Sequence, residues 1–481
     1  MADPVEMSPI DLAKKLDEED FDELLHEFWD FSLYHGNQMK IHTDPEREPH
    51  KGHASSTSLV PTTFSRVAYE RALAVQPLFN KLYHLVATDR EFLISTIQSL
   101  RSHDEFMNRM AGLYQRLLDD NNLPVVYLAL NRSDYLCQHN RETIKQVELN
   151  TIAAAASGVN RAATQWHRYV TGTLMGLDDG AIPENGATGL LAKAMVKSWE
   201  LYSNPLSVIV ILTVGSKEFN FADQRSLQYD IHNLNKRITV KRVPIGTLSP
   251  QNLKVDANKK LFINGREVAL VYFRAGYTPK HYPNEMAWQM RYDIERSAAI
   301  KCPSLGYHLA GSKRVQQVLT KPGVLERWFD TESCQALRET FVGFHSFNKE
   351  EGGQETVALA REQFENFVMK PQRDGGGNNV YDTEIVDKVN SEKLEMLSAY
   401  TLMDKIFPPT NENYMVSSGN RPSITNVVSE LGIFGAYIAQ DGEVLMNESA
   451  GFLFRSKPIG RNEGDLMGGT SSLDSPWLVD S

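Results

Sequence analysis

The sequence predicts an α/β (α+β) fold of two or three domains, and three observations lead there. The run at 206–214 is mostly apolar and β-branched, the pattern of a strand buried on both faces. A helical pattern at about 222–236 and a second short strand pattern at 238–243 follow it, which makes a βαβ unit. A chain of 481 residues is long enough to bury several cores.

Taken in order, residues 8–34 read as an amphipathic helix, with Leu16, Leu24, Leu25, Phe28 and Phe31 at helical spacing. A polar loop at about 43–58 contains His50-Lys-Gly-His53. No cysteine or further clustered histidine completes a coordination sphere, so the pair reads as part of a solvated loop. Residues 64–120 read as largely helical. A strand at about 125–130 leads into Asn131-Arg132-Ser133-Asp134-Tyr135, and a second strand covers about 145–150. Alternation puts Glu148 and Asn150 on one face of that second strand. Two oxygen-bearing side chains on one face suit Mg²⁺, and they suit a solvated edge strand equally well.

Strands near 260–263 and 267–273 extend the βαβ unit through the hairpin signal Asn264-Gly265, so about 205–312 reads as one α/β domain. Residues 283–301 look helical. The segment Gly306 to Lys313 imitates a P-loop, but its order is Gly-Ser-Lys and no strand precedes it, so it is not a Walker motif. A polar stretch at 349–356 comes before an apolar run, 367–369, that delivers Lys370-Pro-Gln-Arg-Asp-Gly-Gly-Gly-Asn-Asn379-Val-Tyr381. Glycine has no Cβ to obstruct backbone N–H groups approaching phosphate oxygens. Then come a helix at 383–396, strands near 400–406, 427–438, 443–447 and 451–456, and a terminal loop carrying Gly460, Gly464, Gly468 and Gly469.

Composition excludes several classes. A 41% hydrophobic, 23% charged chain of net charge −11 with no long basic run argues against nucleic acid and anionic membranes as partners. The longest apolar run is too short to span a bilayer. The acidic N-terminus has no apolar signal core, so a cytoplasmic location is expected, with secretion after loss of a signal as the alternative. Cys137, Cys302 and Cys334 are an odd, sparse set that suits a reducing compartment. There is no internal repeat, no Gly-x-Gly-x-x-Gly after a strand and no Gly-x-Ser-x-Gly elbow. An acidic protein that binds ATP must concentrate positive charge locally. The candidates are Lys313, Lys370 and Lys457 for phosphate, Arg132, Arg274 and Arg455 for carboxylates, and Glu148, Asn150 and Asp374 for a metal.

Nine segments bring these candidates into one order: LNRSDY (130–135), VELNTI (147–152), FADQR (221–225), VYFRAGY (271–277), IERSAAIKCP (294–303), LAGSKRVQQ (309–317), KPQRDGGGNNVY (370–381), SELGIFG (429–435) and FRSK (454–457). Over nearly its whole length the chain resembles the eukaryotic-type glutathione synthetases, an ATP-grasp ligase family. The resemblance implies an ATP-grasp body (1–204 and 313–481), an inserted Rossmann-like substrate-binding domain (205–312), a glycine-rich lid at about 345–410 and a homodimer. It implies a reaction in which ATP phosphorylates the cysteinyl carboxylate of γ-glutamylcysteine and glycine, or another small amino acid, displaces phosphate from the acyl phosphate.

The resemblance also implies residue roles. Two Mg²⁺ ions would be held by Glu148, Asn150 and Asp374. ATP would be held by Glu148, Lys313, Lys370, Gly375, Gly376, Gly377, Asn378, Asn379, Tyr381, Met403, Lys405, Ile406, Glu430, Lys457 and Glu463. The dipeptide and acceptor would meet Arg132, Ala153, Ala155, Glu218, Asn220, Gln224, Arg274, Tyr277, Arg455, Leu466 and Met467. Arg455, Lys370 and Lys313 would act on the reacting groups. Departures from the family pattern sit on the substrate side: alanines at 153–156 where serines are common, Ala275 after Arg274 in place of aspartate, and the 463–469 loop. Asp374 also stands one methylene short of the family's glutamate. These departures leave a diverged, weakly active or non-catalytic homologue as the alternative.

Overall fold

The computed structural model describes residues 7–40, 52–101, 104–215, 218–372, 379–417, 421–462, 464, 466 and 469–480. Among these residues the chain forms sheets of seven, six and three strands and two two-stranded ribbons. The largest sheet runs, edge to edge, through Asn411–Val416, Thr57–Ser58, Ser472–Asp474, Glu443–Pro458, Ile424–Gln440, Val126–Cys137 and Ile144–Asn150. Most of its pairings are antiparallel.

Period-2 alternation gives this sheet two apolar faces. Leu431, Ile433, Tyr437 and Phe452 pack on one side with Phe79, Leu82 and Val86 of the helix Arg66–Thr88. Phe434, Ala436, Ile438 and Leu453 pack on the other with Leu190, Leu191 and Met195 of the helix Ala187–Tyr202. Pro77 lies inside the first helix and has no N–H for the Leu73 carbonyl. The Ser449 hydroxyl donates to that carbonyl instead, at 3.4 Å.

The six-stranded sheet contains the expected βαβ unit. Val208–Thr213 pairs parallel with Thr239–Pro244 and with Arg266–Phe273, and the helix Phe221–Leu234 makes the crossover. The Asn264-Gly265 hairpin forms, with φ of 51° and 72°. The three-stranded sheet places Tyr400–Asp404 between Phe344–Ser346 and Phe367–Pro371.

Several expectations need correction. The helix expected at 8–34 is two, Pro9–Ala13 and Glu18–His35, because Ser8 and Asp17 each cap a new start. The segment 131–135 belongs to the single strand Val126–Cys137, where neighbours on both sides supply backbone partners. The helix expected at 283–301 ends at Glu295, and Ile300–Cys302 joins the six-stranded sheet. The expected strands 443–447 and 451–456 are one, Glu443–Pro458. The P-loop imitation is helical: Gly306 lies in Leu305–Ala310, and Ser312 caps Lys313–Leu319. His50 falls outside the described residues, and His53 Nδ1 meets the Ala54 carbonyl at 2.8 Å. All three cysteines are buried free thiols. No helix among the described residues is long and apolar enough to cross a membrane.

Gly451 holds the long strand in the left-handed region (φ 65°), and a Cβ there would fall on the Ala187 amide nitrogen and 2.5 Å from Asn185 Oδ1. Gly451→Ala is expected to cost about 2–4 kcal/mol in urea unfolding, and a loss below about 1 kcal/mol would contradict this packing.

Asp474 is fully buried and accepts from Ser456 Oγ at 2.5 Å, Thr62 Oγ1 at 2.5 Å and the Ser475 amide at 2.7 Å. Burial pushes its carboxyl up from 3.8 to about 6, against the pull of these donors. The folded state keeps a proton that the unfolded chain releases across that window. The contribution of Asp474 to stability therefore falls by about 3 kcal/mol between pH 4 and 6 and is flat above. Asp474→Asn lacks this titration, so the stability difference between variant and parent should shift in the variant's favour across pH 4–6.5; a pH-independent difference would refute it.

Candidate active site

Residues of the seven-stranded sheet, the loops of the six-stranded sheet and the three-stranded sheet line one cleft of ≈ 870 Å³. At one end stands Ile144–Asn150, the edge strand of the large sheet, with Glu148 and Asn150 both on the cleft wall. The strand is an edge, and its polar face lines the cleft. Lys313 Nζ, buried at the start of its helix, donates to Glu148 Oε2 at 2.8 Å. The Lys313 charge is the main reason the Glu148 carboxyl lies far below the usual carboxylate range; burial opposes it and Lys370 reinforces it. The two lysines thus converge on one carboxylate from different elements. Lys370 is buried in Phe367–Pro371, opposite Thr401.

The Asn150 amide nitrogen donates to Asp134 Oδ2 at 2.9 Å and to the Arg132 carbonyl at 3.3 Å. That leaves its carbonyl oxygen to face a cation. With the Glu148 carboxylate this is a pair of hard oxygen donors, a set that fits Mg²⁺. Among the described residues no group of three His, Cys, Asp or Glu side chains could hold a metal. Asp374, the third expected ligand, lies outside the described residues, as do Gly375, Gly376, Gly377, Asn378, Glu463 and Met467.

An apolar slot adjoins the lysines, lined by Val368, Met403, Ile406 and Val428. Asn379, Tyr381, Lys405 and Lys457 also line the cleft. Asn379 Nδ2 donates to the Tyr381 hydroxyl at 3.1 Å, and Lys457 Nζ to the Asn462 carbonyl at 2.7 Å.

The same cleft carries three arginines, Arg132 among them opposite Asn150 on the neighbouring strand. Arg132 donates from Nε to Asp134 Oδ1 at 2.6 Å and from Nη1 to the Ala155 carbonyl at 3.0 Å. Arg274 donates to the Ala153 carbonyl at 2.7 Å and to Asp223 Oδ2 at 3.3 Å. The alanine segment, whose Ala153 and Ala156 are left-handed at φ 52° and 74°, thus serves this wall through main-chain oxygens. Arg455 faces Glu430 across two strands and donates from Nε to Glu430 Oε1 at 3.0 Å. Burial alone would lower its pKa, but the charges of Glu430, Asp134 and Glu148 together with the Glu430 hydrogen bond outweigh it and hold the guanidinium charged. Glu218, Asn220 and Tyr277 also line the cleft.

Two expected contacts are not brought to the cleft. Gln224 is buried one turn inside Phe221–Leu234, and its Oε1 accepts from Arg242 Nε at 2.9 Å. Leu466 packs against the apolar cluster that contains Phe434 and Leu453. The sequence reading missed Val368, Val428, Asp382 and Asn462, all of which line the cleft. Period-2 alternation could have found Val368 and Val428, each two residues before a named site residue, Lys370 and Glu430. No local signal marks Asn462.

The family model described as eukaryotic glutathione synthase, ATP binding domain, matches residues 18–478. The chain belongs to the eukaryotic glutathione synthase family. Among its relatives, the chloroplastic glutathione synthetase of Arabidopsis thaliana is 36% identical over 98% of this chain and 88% of its own length. The glutathione synthetase of Homo sapiens is 35% identical over 96% of this chain and 98% of its own. A solved glutathione synthetase-like effector of Globodera pallida has the same fold, with a TM-score of 0.78 at 23% identity over 97% of this chain and 98% of that one. Within this family fold, the cleft holds most of the residues that the resemblance implicated.

Lys313→Met is expected to weaken ATP binding by about 100-fold in calorimetry, the loss of one charge-assisted contact and of the balance to Glu148. Unchanged affinity would remove Lys313 from the site.

Proposed function

We propose that this chain is an ATP- and Mg²⁺-dependent ligase that joins γ-glutamylcysteine to glycine through an acyl phosphate. The observation that carries the reading is the company kept in one cleft: two lysines around Glu148, Arg132 opposite Asn150 on the neighbouring strand, and Arg274 and Arg455 in the same lining. Phosphoryl transfer between two anions needs cations on the transferring group and fixed clamps on the acceptor carboxylate.

In this reading the adenine lies in the slot of Val368, Met403, Ile406 and Val428, and the phosphates reach Lys313 and Lys370. Glu148, Asn150 and Asp374 would hold two Mg²⁺ ions, which neutralise charge on the transferring phosphoryl group when bound. Arg132 and Arg274 clamp the dipeptide so that its cysteinyl carboxylate faces the γ-phosphate. A carboxylate oxygen attacks phosphorus, ADP leaves, and the acyl phosphate forms. Arg455 holds a substrate carboxylate and aligns the glycine amine, which attacks the acyl carbon and expels phosphate. The segment 345–410, acting as a lid, shields the acyl phosphate from water. The division into 1–204, 205–312 and 313–481 and assembly as a homodimer belong to the same reading.

The test measures ADP release with Mg-ATP, γ-glutamylcysteine and a panel of acceptor amino acids. Glycine is expected to give the fastest turnover, and Lys370→Ala is expected to abolish it with the melting temperature retained. No turnover with any acceptor, alongside intact ATP binding in calorimetry, would sink the ligase reading.

A further inference from the structure

We propose that Asp134 is a positioning residue that ties the dipeptide clamp Arg132 to the metal ligand Asn150. The proposal rests on the ligase reading for the roles of those two partners, while the link itself is a feature of the fold.

Asp134 and Arg132 are two residues apart on Val126–Cys137 and so share a face of the strand. Arg132 donates Nε–H to Asp134 Oδ1 at 2.6 Å and Nη2–H to Oδ2 at 2.8 Å, a two-pronged pair. The same Oδ2 accepts from Asn150 Nδ2 at 2.9 Å on the neighbouring strand. Asp134 is 1% exposed and does not line the cleft, so it acts through its partners and not on substrate. Gly432, opposite Asp134 on the other neighbouring strand, makes room for the pair: a Cβ there would fall on Asp134 Oδ1 and 2.8 Å from Arg132 Cδ.

This hydrogen-bond pattern orients both partners. Asp134 and the Ala155 carbonyl take three of the five guanidinium N–H groups of Arg132. The two left, one each on Nη1 and Nη2, form the edge that a substrate carboxylate meets. Asp134 and the Arg132 carbonyl take the Asn150 amide hydrogens, which fixes which end of that amide faces a cation. A buried ion pair adds little stability over an apolar replacement, and its best-attested benefit is geometric definition. Here the geometry defined is the separation between the donor clamp and the metal ligand.

Asp134→Asn keeps the shape and removes the charge and one acceptor. It is expected to raise KM for γ-glutamylcysteine by about 10-fold or more and, through Asn150, the Mg²⁺ concentration for half-maximal turnover by about 3-fold or more. In an Arg132→Ala background the same change should raise the dipeptide KM by less than about 2-fold, because the link is already cut. Asp134→Glu, which keeps the charge but displaces the pair by one methylene, should move both quantities in the same direction and serves if the asparagine variant fails to fold. A dipeptide KM or a Mg²⁺ requirement that is unchanged in a folded variant would overturn the proposal.

A second readout does not depend on turnover. The Arg132 Nε–H resonance, identified by its loss in Arg132→Lys, should exchange with solvent at least about 10-fold faster in Asp134→Asn. If the parent protein makes no product, the ligase reading fails and this measurement still decides the link; unaltered exchange refutes it.

Discussion

The cross-strand pairing of Ile424–Gln440 with Glu443–Pro458 is the constraint on which the site depends. Its register sets Glu430 opposite Arg455 and Val428 opposite Lys457. The inner stretch of both strands is buried under helices on two sides. The strands therefore cannot slip without exposing a whole apolar face, because a shift of one residue reverses every side chain. Packing far from the cleft thereby holds the charges in the cleft. Ser456, between Arg455 and Lys457, turns to the opposite side, where its hydroxyl donates to Asp474 and accepts from the Ser429 hydroxyl.

Charge is arranged the same way. The chain carries a net −11, yet lysines and arginines from six separate segments face one cleft. Each buried guanidinium has a carboxylate beside it: Asp134 for Arg132, Asp223 for Arg274, Glu430 for Arg455. Removing charges from water without such partners would cost several kcal/mol per ion, on the order of what a domain's net stability can bear. Paired in this way, the arginines stay charged and oriented, with part of each fork left for a ligand. In the same cleft Glu148 plays the converse part, an acid kept ionised mainly by Lys313, with Lys370 and Arg132 reinforcing it.

Much of this was legible in the chain. The βαβ unit followed from a β-branched run too short and too apolar for anything but a buried strand, and the Asn264-Gly265 turn from backbone preference. Lys313, Lys370, Arg132, Arg274 and Arg455 stood in motifs long enough to carry a family resemblance, and all five line the cleft. Errors gathered where local pattern and long-range pairing compete. The strands at 126–137 and 443–458 read as fragments because polar and glycine residues interrupt their apolar alternation. Neighbouring strands supply the hydrogen bonds that carry each of them through.

The sequence by itself determined the family, the two faces of the sheet strands and the residue types that phosphate, metal and carboxylate chemistry require. Those follow from periodicity and side-chain chemistry, which are local. Only the tertiary structure decided which charges are partners. Asp134 reads in sequence as one acid among many; it becomes the common acceptor of Arg132 and Asn150 because Gly432 leaves room beside it. Gln224 reads as a ligand contact and is turned inward, toward Arg242. The alanines at 153–155 read as lost hydroxyls, and the fold uses their carbonyls. Backbone groups and burial have no signature in residue identity, so their part in the site appears only when the chain is folded.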